Sequence, residues 1–501
     1  MEESKAQWSS RVGFILASLG MAFGTGNIWR FPRVAAANGG GAFLIAFLIA
    51  TILWAVPLLM MEMVMGKTTR LGTVGAFRNF CGKKYTWFGA WIGFCSVAIM
   101  FYYSVVMGWA LRYFVYGITG AIKPGIDSET MWKAFLNDPS QTILFHFISI
   151  AIAGFIIYRG VKEGLEIANK TIVPSMLVLL IVVMVWALTK PNAVQGLEYL
   201  YNPNLSQLLD AKVWLNAFTQ AAWSVGAGWG LMLTYAVYMR DEDDIGANSF
   251  VVAFADSGSS LISAMAVLPL VFAVSPSVEV AKKALESGHT GMTFIYLTKF
   301  FPNLPGGTFF AALFFLALSI AALASLLSMV ELATLNLQDM GIDRKKAAIL
   351  VTVVTFLLGI PSAYSSWFLD NQDMVWGVGL LIAGVLYSLA AYRYGIDRVR
   401  TEIINPNSYV HIGKWWNYAI GGFPIMFAFV FGWWILQSIT WYPKTWWNPF
   451  EQYSPATMVI QWSVVALVFY LANNWLAEKI KAPYKEVSAR ESSADRGEGR
   501  K

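Results

Sequence analysis

The sequence predicts an all-α integral membrane protein of about twelve transmembrane helices, two of them broken, and three observations carry that prediction. The first is composition. Of 501 residues, 57% are hydrophobic and only 13% charged, with a mean hydropathy of +0.54. No soluble domain of that size hides so much apolar surface. The second is the recurrence of apolar runs near the roughly 20 residues that cross a hydrocarbon core of about 30 Å. The third is a pair of glycine-studded stretches inside such runs, "GMAFGTGNIWRFP" at 20–32 and "AAWSVGAGWG" at 221–230.

The runs fall at residues 12–34, 43–65, 88–118, 143–158, 172–188, 213–239, 250–274, 309–337, 347–360, 374–392, 420–439 and 458–476. All are expected to be helices, because an open strand leaves unpaired backbone groups in lipid. The first run continues past Arg30 into Asn38-Gly39-Gly40-Gly41 instead of ending at a small-residue cleavage site, so it is expected to be retained and not removed as a signal peptide. Lys67, Arg70, Arg78, Lys83, Lys84, Arg159, Lys162, Arg240, Arg344, Lys345, Lys346, Arg393, Arg398 and Arg400 follow the even-numbered runs. The positive-inside rule therefore puts both termini in the cytoplasm of a protein of the plasma (inner) membrane. The net charge of +6 reads as this topology signal and not as a nucleic-acid footprint. Trp441-Tyr442 and Trp446-Trp447 fit interfacial aromatic belts. Cys81 and Cys95 make no disulfide framework, and His146, His289 and His411 are too scattered for a zinc or iron site.

The two glycine-rich interruptions lie five runs apart. Transporters built from inverted five-helix repeats place such breaks at corresponding positions, where freed backbone groups form the substrate and ion site. Glycines that merely allow close helix packing are the alternative; the hydroxyl and amide side chains beside both clusters favour a site.

The string "WSSRVGFILASLGMAFGTGNIWRFP", followed by "NGGGAFLIAF", closely resembles the first helix of the neurotransmitter:sodium symporter family, and the likeness extends from Trp8 through the twelfth helix. It implies a LeuT-like fold: a cytoplasmic segment at 1–10, inverted repeats of helices one to five (11–188) and six to ten (189–394), helices eleven and twelve at 395–482, and a tail at 483–501 whose charged composition reads as disordered. It further implies sodium-driven amino-acid uptake by alternating access, with no enzymatic chemistry.

By the same resemblance the substrate carboxylate meets the backbone of Thr25 and Gly26, the Tyr103 hydroxyl and the first sodium ion. The ammonium takes carbonyls of Ala22, Trp223 and Ser224. Gly24 stands where monoamine carriers of the family place an aspartate, which argues for a substrate that brings its own carboxylate. The first sodium is assigned Ala22, Asn27, Ser224 and Asp256; a mid-helix charge is costly and usually functional, though a paired structural charge is the alternative. Chloride-using members hold that ion with a tyrosine, a glutamine and two serines. Gln220, Ser224 and Ser260 match, but Phe47 replaces the tyrosine, and Asp256 supplies fixed negative charge, so transport is expected to be chloride-independent.

A second sodium set, Gly20, Phe23, Ala321 and Ser325, lacks one oxygen because Ala324 replaces a hydroxyl or carboxylate residue. One or two sodium ions are therefore expected. The resemblance implies a pocket lined by Ile99, Tyr103, Trp223, Gly226, Trp229, Ser325 and Met329. The bulk of Trp229 favours glycine or alanine; the space at Gly226 and the adaptability of Met329 leave larger hydrophobic or aromatic amino acids as the alternative, and ordinary core packing accounts equally well for both tryptophans. Arg30 is expected to pair with Asp373 as an outer gate, its alternative being an interfacial arginine. Lys5, Trp8, Tyr238 and Asp339 are expected to close the inner face, Lys5 with a looser grip than an arginine. A channel is disfavoured by the single asymmetric pair of breaks, and a proton-coupled carrier by the lack of an ionisable group at the second sodium set.

Overall fold

Each expected run forms helix in the computed structural model, the first and the sixth with breaks, and the structure describes residues 6–275 and 277–487. Among the described residues, nine helices are long and apolar enough to cross a membrane: Gly41–Thr69, Lys83–Ile118, Pro139–Tyr158, Val161–Leu188, Ile245–Val274, Gly307–Asp339, Arg344–Tyr364, Ser366–Tyr394 and Phe423–Trp441. Two further spans are bent pairs, Arg11–Ala22 with Gly26–Ala37 at 51° and Pro455–Leu471 with Asn473–Lys479 at 59°. The sixth span is split into Ala211–Ser224 and Leu231–Ala236, each too short to cross alone.

Polar caps set where several of these helices begin. The Ser10, Asp244, Asp343, Ser365 and Ser454 side chains accept hydrogen bonds from first-turn amides of their helices, satisfying donors that an apolar surrounding would leave bare. Burial then sorts the spans. The third, eighth and tenth are largely enclosed, with 78%, 72% and 83% of their apolar windows buried, whereas Phe423–Trp441 is only 17% buried and borders the bundle. Small residues let the enclosed helices approach: a Cβ at Gly108 would stand 2.8 Å from the backbone carbon of Phe145 in the fourth span, a distance only glycine tolerates.

The basic loops gather at one end of the bundle. There Trp8 meets Tyr238, Arg70 binds Asp241, and Arg78 donates to the carbonyls of Ala477, Ile480 and Ala482. Residues 483–487, at the start of the tail expected from residue 483 onward, make contacts with the rest of the chain. Pro483 accepts from Asn79, Tyr484 lies against Lys83, and Glu486 pairs with Arg393 at 3.6 Å. These local cationic partners hold residues that bury little apolar area themselves. Residues 488–501 lie outside the described part.

Gly108→Val should push the third and fourth spans apart, at an overpacking cost of about 1–3 kcal/mol. A thermal melt in detergent should show a lowered Tm; an unchanged Tm would contradict this packing.

Candidate functional site

Both breaks follow from local sequence. In the first span the helix stops at Ala22, Phe23 turns out to φ −72°, ψ 84°, and a π turn, Gly26–Arg30, restarts it. In the sixth, residues 225–230 leave the helix, and Gly226, Gly228 and Gly230 take φ of 68°, 91° and 76°. That left-handed region strains any residue carrying a Cβ, so the three alternate glycines are what this linker demands. A residue that sequence reasoning missed holds the linker in place. Glu62, fully buried in the second span, accepts hydrogen bonds from the amides of Gly228 and, at 3.1 Å, Leu233. Its carboxylate thus satisfies donors at the start of the helix Leu231–Ala236.

The breaks face each other across a cavity of about 320 Å³. Ala22, Thr25, Gly26, Ile99, Tyr103, Trp223, Ser224, Gly226, Trp229, Ser325 and Met329 all line it, so the structure brings the whole proposed substrate set together. Tyr102, Val106, Trp109 and Met374 join them, unforeseen in the sequence. The Tyr103 hydroxyl stands 3.3 Å from the Thr25 amide and 3.2 Å from its hydroxyl. A Cβ at Gly24 would come within 2.8 Å of the Ser325 hydroxyl and 3.4 Å of the Tyr103 oxygen, so a side chain there would have to shift the Ser325 hydroxyl and would stand in contact with Tyr103. Free amides and carbonyls at such half-helix ends complement a carboxylate and an ammonium respectively.

Behind the cavity sits Asp256, mid-way along Ile245–Val274 and 0% exposed. Its carboxylate receives the Asn27 amide at 2.6 Å and the Ser224 hydroxyl at 2.7 Å. The same amide reaches Ser259 at 2.9 Å and Ser260 at 3.0 Å. Among the described residues Asp256 has no Lys, Arg or His within ion-pair distance. A buried carboxylate beside the Ser224 hydroxyl, with no basic side chain to answer it, suits a hard cation; the Asn27 side chain turns its NH2 group toward this carboxylate and its oxygen toward the Gly24 amide, and would have to rotate to add an amide oxygen. Phe47 is packed between Phe31 and Phe43 and offers no hydroxyl. In the second set, Gly20, Phe23, Ala321 and Ser325 are all buried, with the Ser325 hydroxyl 3.3 Å from the Met21 carbonyl. Ala324 is buried beside Ser325 and contributes no side-chain oxygen.

The gates differ from one another. Arg30 and Asp373 line the same cavity, but they do not pair. Arg30 lies 4.3 Å over the Trp223 ring, and Asp373 accepts the Tyr102 hydroxyl at 2.8 Å. The expected outer ion pair is not formed in this structure: aromatic neighbours hold each charge on its own wall. The inner end is closed. Trp8, 2% exposed, donates its indole N–H to the Tyr235 carbonyl and its amide to the Tyr238 carbonyl, both at 3.0 Å. The Asp339 carboxylate accepts the Gly72 amide at 2.6 Å. Lys5 lies outside the described residues.

Two broken helices around a central, largely apolar cavity, closed at its inner end by Trp8, are the architecture of a secondary transporter. Comparison narrows the class. Residues 5–134 and 137–481 match the sodium:neurotransmitter symporter family, and the chain belongs to that family. It is 32% identical over 441 residues to an uncharacterized sodium-dependent transporter of Methanocaldococcus jannaschii, covering 83% of this chain and 87% of that one. It is 30% identical to an uncharacterized sodium-dependent transporter of Bacillus subtilis, covering 74% and 82%. Its fold matches the crystal structure of MhsT in complex with L-phenylalanine, with a TM-score of 0.75, 29% identity, and coverage of 85% of this chain and 99% of that one. The family is one of secondary transporters and not of enzymes.

Glu62→Ala strands interior amides, each at a cost of about 1–3 kcal/mol, and should weaken sodium-dependent substrate binding at least tenfold in an equilibrium assay on detergent-solubilised protein. Wild-type affinity would show that the linker does not depend on Glu62.

Proposed function

We propose that this protein imports a neutral amino acid together with sodium, without chloride, by alternating access between the repeats 11–188 and 189–394, with both termini cytoplasmic. The observation that carries the reading is the fully buried Asp256 carboxylate, bound by Asn27 and Ser224 at the edge of the cavity and answered by no basic side chain. A cation there would serve the protein and the substrate carboxylate at once. Ala22, Asn27, Ser224 and Asp256 would hold it; Gly20, Phe23, Ala321 and Ser325 would hold a second sodium more weakly, since Ala324 adds no oxygen.

For the side chain of the substrate, the space favours a hydrophobic amino acid larger than alanine. Nothing lies within 4 Å of a Cβ built on Gly26, and only Leu231, at 4.0 Å, approaches one on Gly226. The phenylalanine bound in the similar MhsT structure supports that choice. Glycine or alanine is the second reading, favoured by the indole of Trp229, whose carbonyl is fixed by the Ser96 hydroxyl at 2.5 Å.

In proteoliposomes with an inward sodium gradient, labelled phenylalanine or leucine uptake should exceed the no-gradient control and resist competition by glycine. Inhibition by glycine and alanine alone would establish the second reading, and indifference to sodium would overturn both.

Replacing chloride by gluconate should leave wild-type uptake unchanged. Asp256→Asn, which removes the fixed charge, should lose most uptake in gluconate and regain part of it in chloride. Strict chloride dependence of the wild type would refute the anion assignment.

A further inference from the structure

The second sodium set proposed above is one side-chain oxygen short, because Ala324 stands beside Ser325 on the eighth span. A buried amide close to that set has no role so far. Asn169 lies on the fifth span and is 0% exposed. Its side-chain NH2 donates to the Leu165 carbonyl at 2.9 Å, which fixes the way the amide faces and leaves its oxygen toward the first span. Among the described residues that oxygen accepts no well-formed hydrogen bond. The Tyr235 hydroxyl approaches it, but is likewise buried without a directed partner.

The Asn169 oxygen rests on Gly20, a member of the second set. A Cβ at residue 20 would collide with that oxygen and stand 3.2 Å from a Val173 methyl, so only glycine admits the amide this close to the backbone of the first span. The fifth span packs against both the first and the eighth, the two that carry Gly20, Phe23, Ala321 and Ser325. A buried acceptor left without a donor costs about 1–3 kcal/mol. A hard cation answers it, since such ions take amide and carbonyl oxygens as ligands. We propose that Asn169 supplies, from the fifth span, the oxygen that Ala324 withholds from the eighth, so that three spans and not two hold the second sodium ion. This rests on the two-set sodium reading above.

The test is equilibrium binding of radiolabelled sodium to the full chain in detergent, with potassium holding the ionic strength constant and no amino acid present. The unmutated chain should bind two ions. Asn169→Leu, close in size and without an oxygen, should keep the first ion and weaken the second by roughly 10- to 100-fold, the range for lost support of a metal site. Adding Ala324→Ser to Asn169→Leu should recover most of that loss by returning an oxygen from the eighth span; a packing role for Asn169 would not respond to it. A second ion held as tightly by Asn169→Leu as by the unmutated chain would overturn the assignment, as would a loss that Ala324→Ser leaves untouched. The retained first ion shows that a variant is folded. Should Asn169→Leu lose both ions, Asn169→Ala is read in its place, and loss of both there as well would mark a folding role and overturn the assignment. One ion per unmutated chain would overturn the second set itself, and no bound ion the sodium reading; both outcomes differ from a second ion that is indifferent to Asn169.

Discussion

A helix broken inside an apolar bundle leaves backbone amides and carbonyls without their usual partners, and each costs several kcal/mol if nothing answers it. Much of this architecture is a response to that constraint. Glu62 answers amides at the break in the sixth span. Asn27, through its side-chain oxygen, answers the Gly24 amide at 3.1 Å and with its amide grips Asp256. Of the carbonyls that end Arg11–Ala22, that of Leu19 accepts the Phe23 amide and that of Met21 the Ser325 hydroxyl, so the break is answered from both sides of the cavity.

The same constraint explains what could be read from sequence. Breaks demand glycines at positions with positive φ, so the alternation of Gly226, Gly228 and Gly230 advertised the linker. A carboxylate mid-way along an apolar run is expensive, so Asp256 advertised itself too. Glu62 carries the same cost but sits in "LLMMEMVMGK", close to the basic loop, where its charge resembled a flanking residue; nothing in the sequence announces that its partners are amides 166 and 171 residues away. Arg78 was legible only as a cytoplasmic charge, because its partners are carbonyls and carbonyls leave no trace in residue identity. The Arg30 and Asp373 charges were correctly placed on one cavity, but their separation is a property of conformation, which composition does not encode.

The two ends of the cavity are held by different kinds of force. The inner end is sealed by an indole seated among tyrosines with backbone hydrogen bonds at both of its N–H groups. That seal is geometric, made of directed backbone hydrogen bonds and edge-on ring contacts. The outer end has opposite charges on facing walls, each occupied by a weaker neighbour.

That difference fixes what outer closure requires. Bringing Arg30 to Asp373 exchanges a cation–π contact of about 0.5–2 kcal/mol and a charged hydrogen bond of about 1.5–3 kcal/mol for an ion pair whose gain is offset by desolvation. Closure therefore gives up two favourable contacts for one ion pair whose own gain is reduced by desolvation, and a ligand that prefers the closed arrangement tips that exchange. Trp223 is well placed to supply part of that preference, since the ring under Arg30 also lines the substrate cavity. On the transport reading proposed above, a substrate side chain lying on Trp223 would compete with the guanidinium for the same aromatic face and leave Arg30 freer to cross toward Asp373. Occupancy and closure would then be linked through one shared surface.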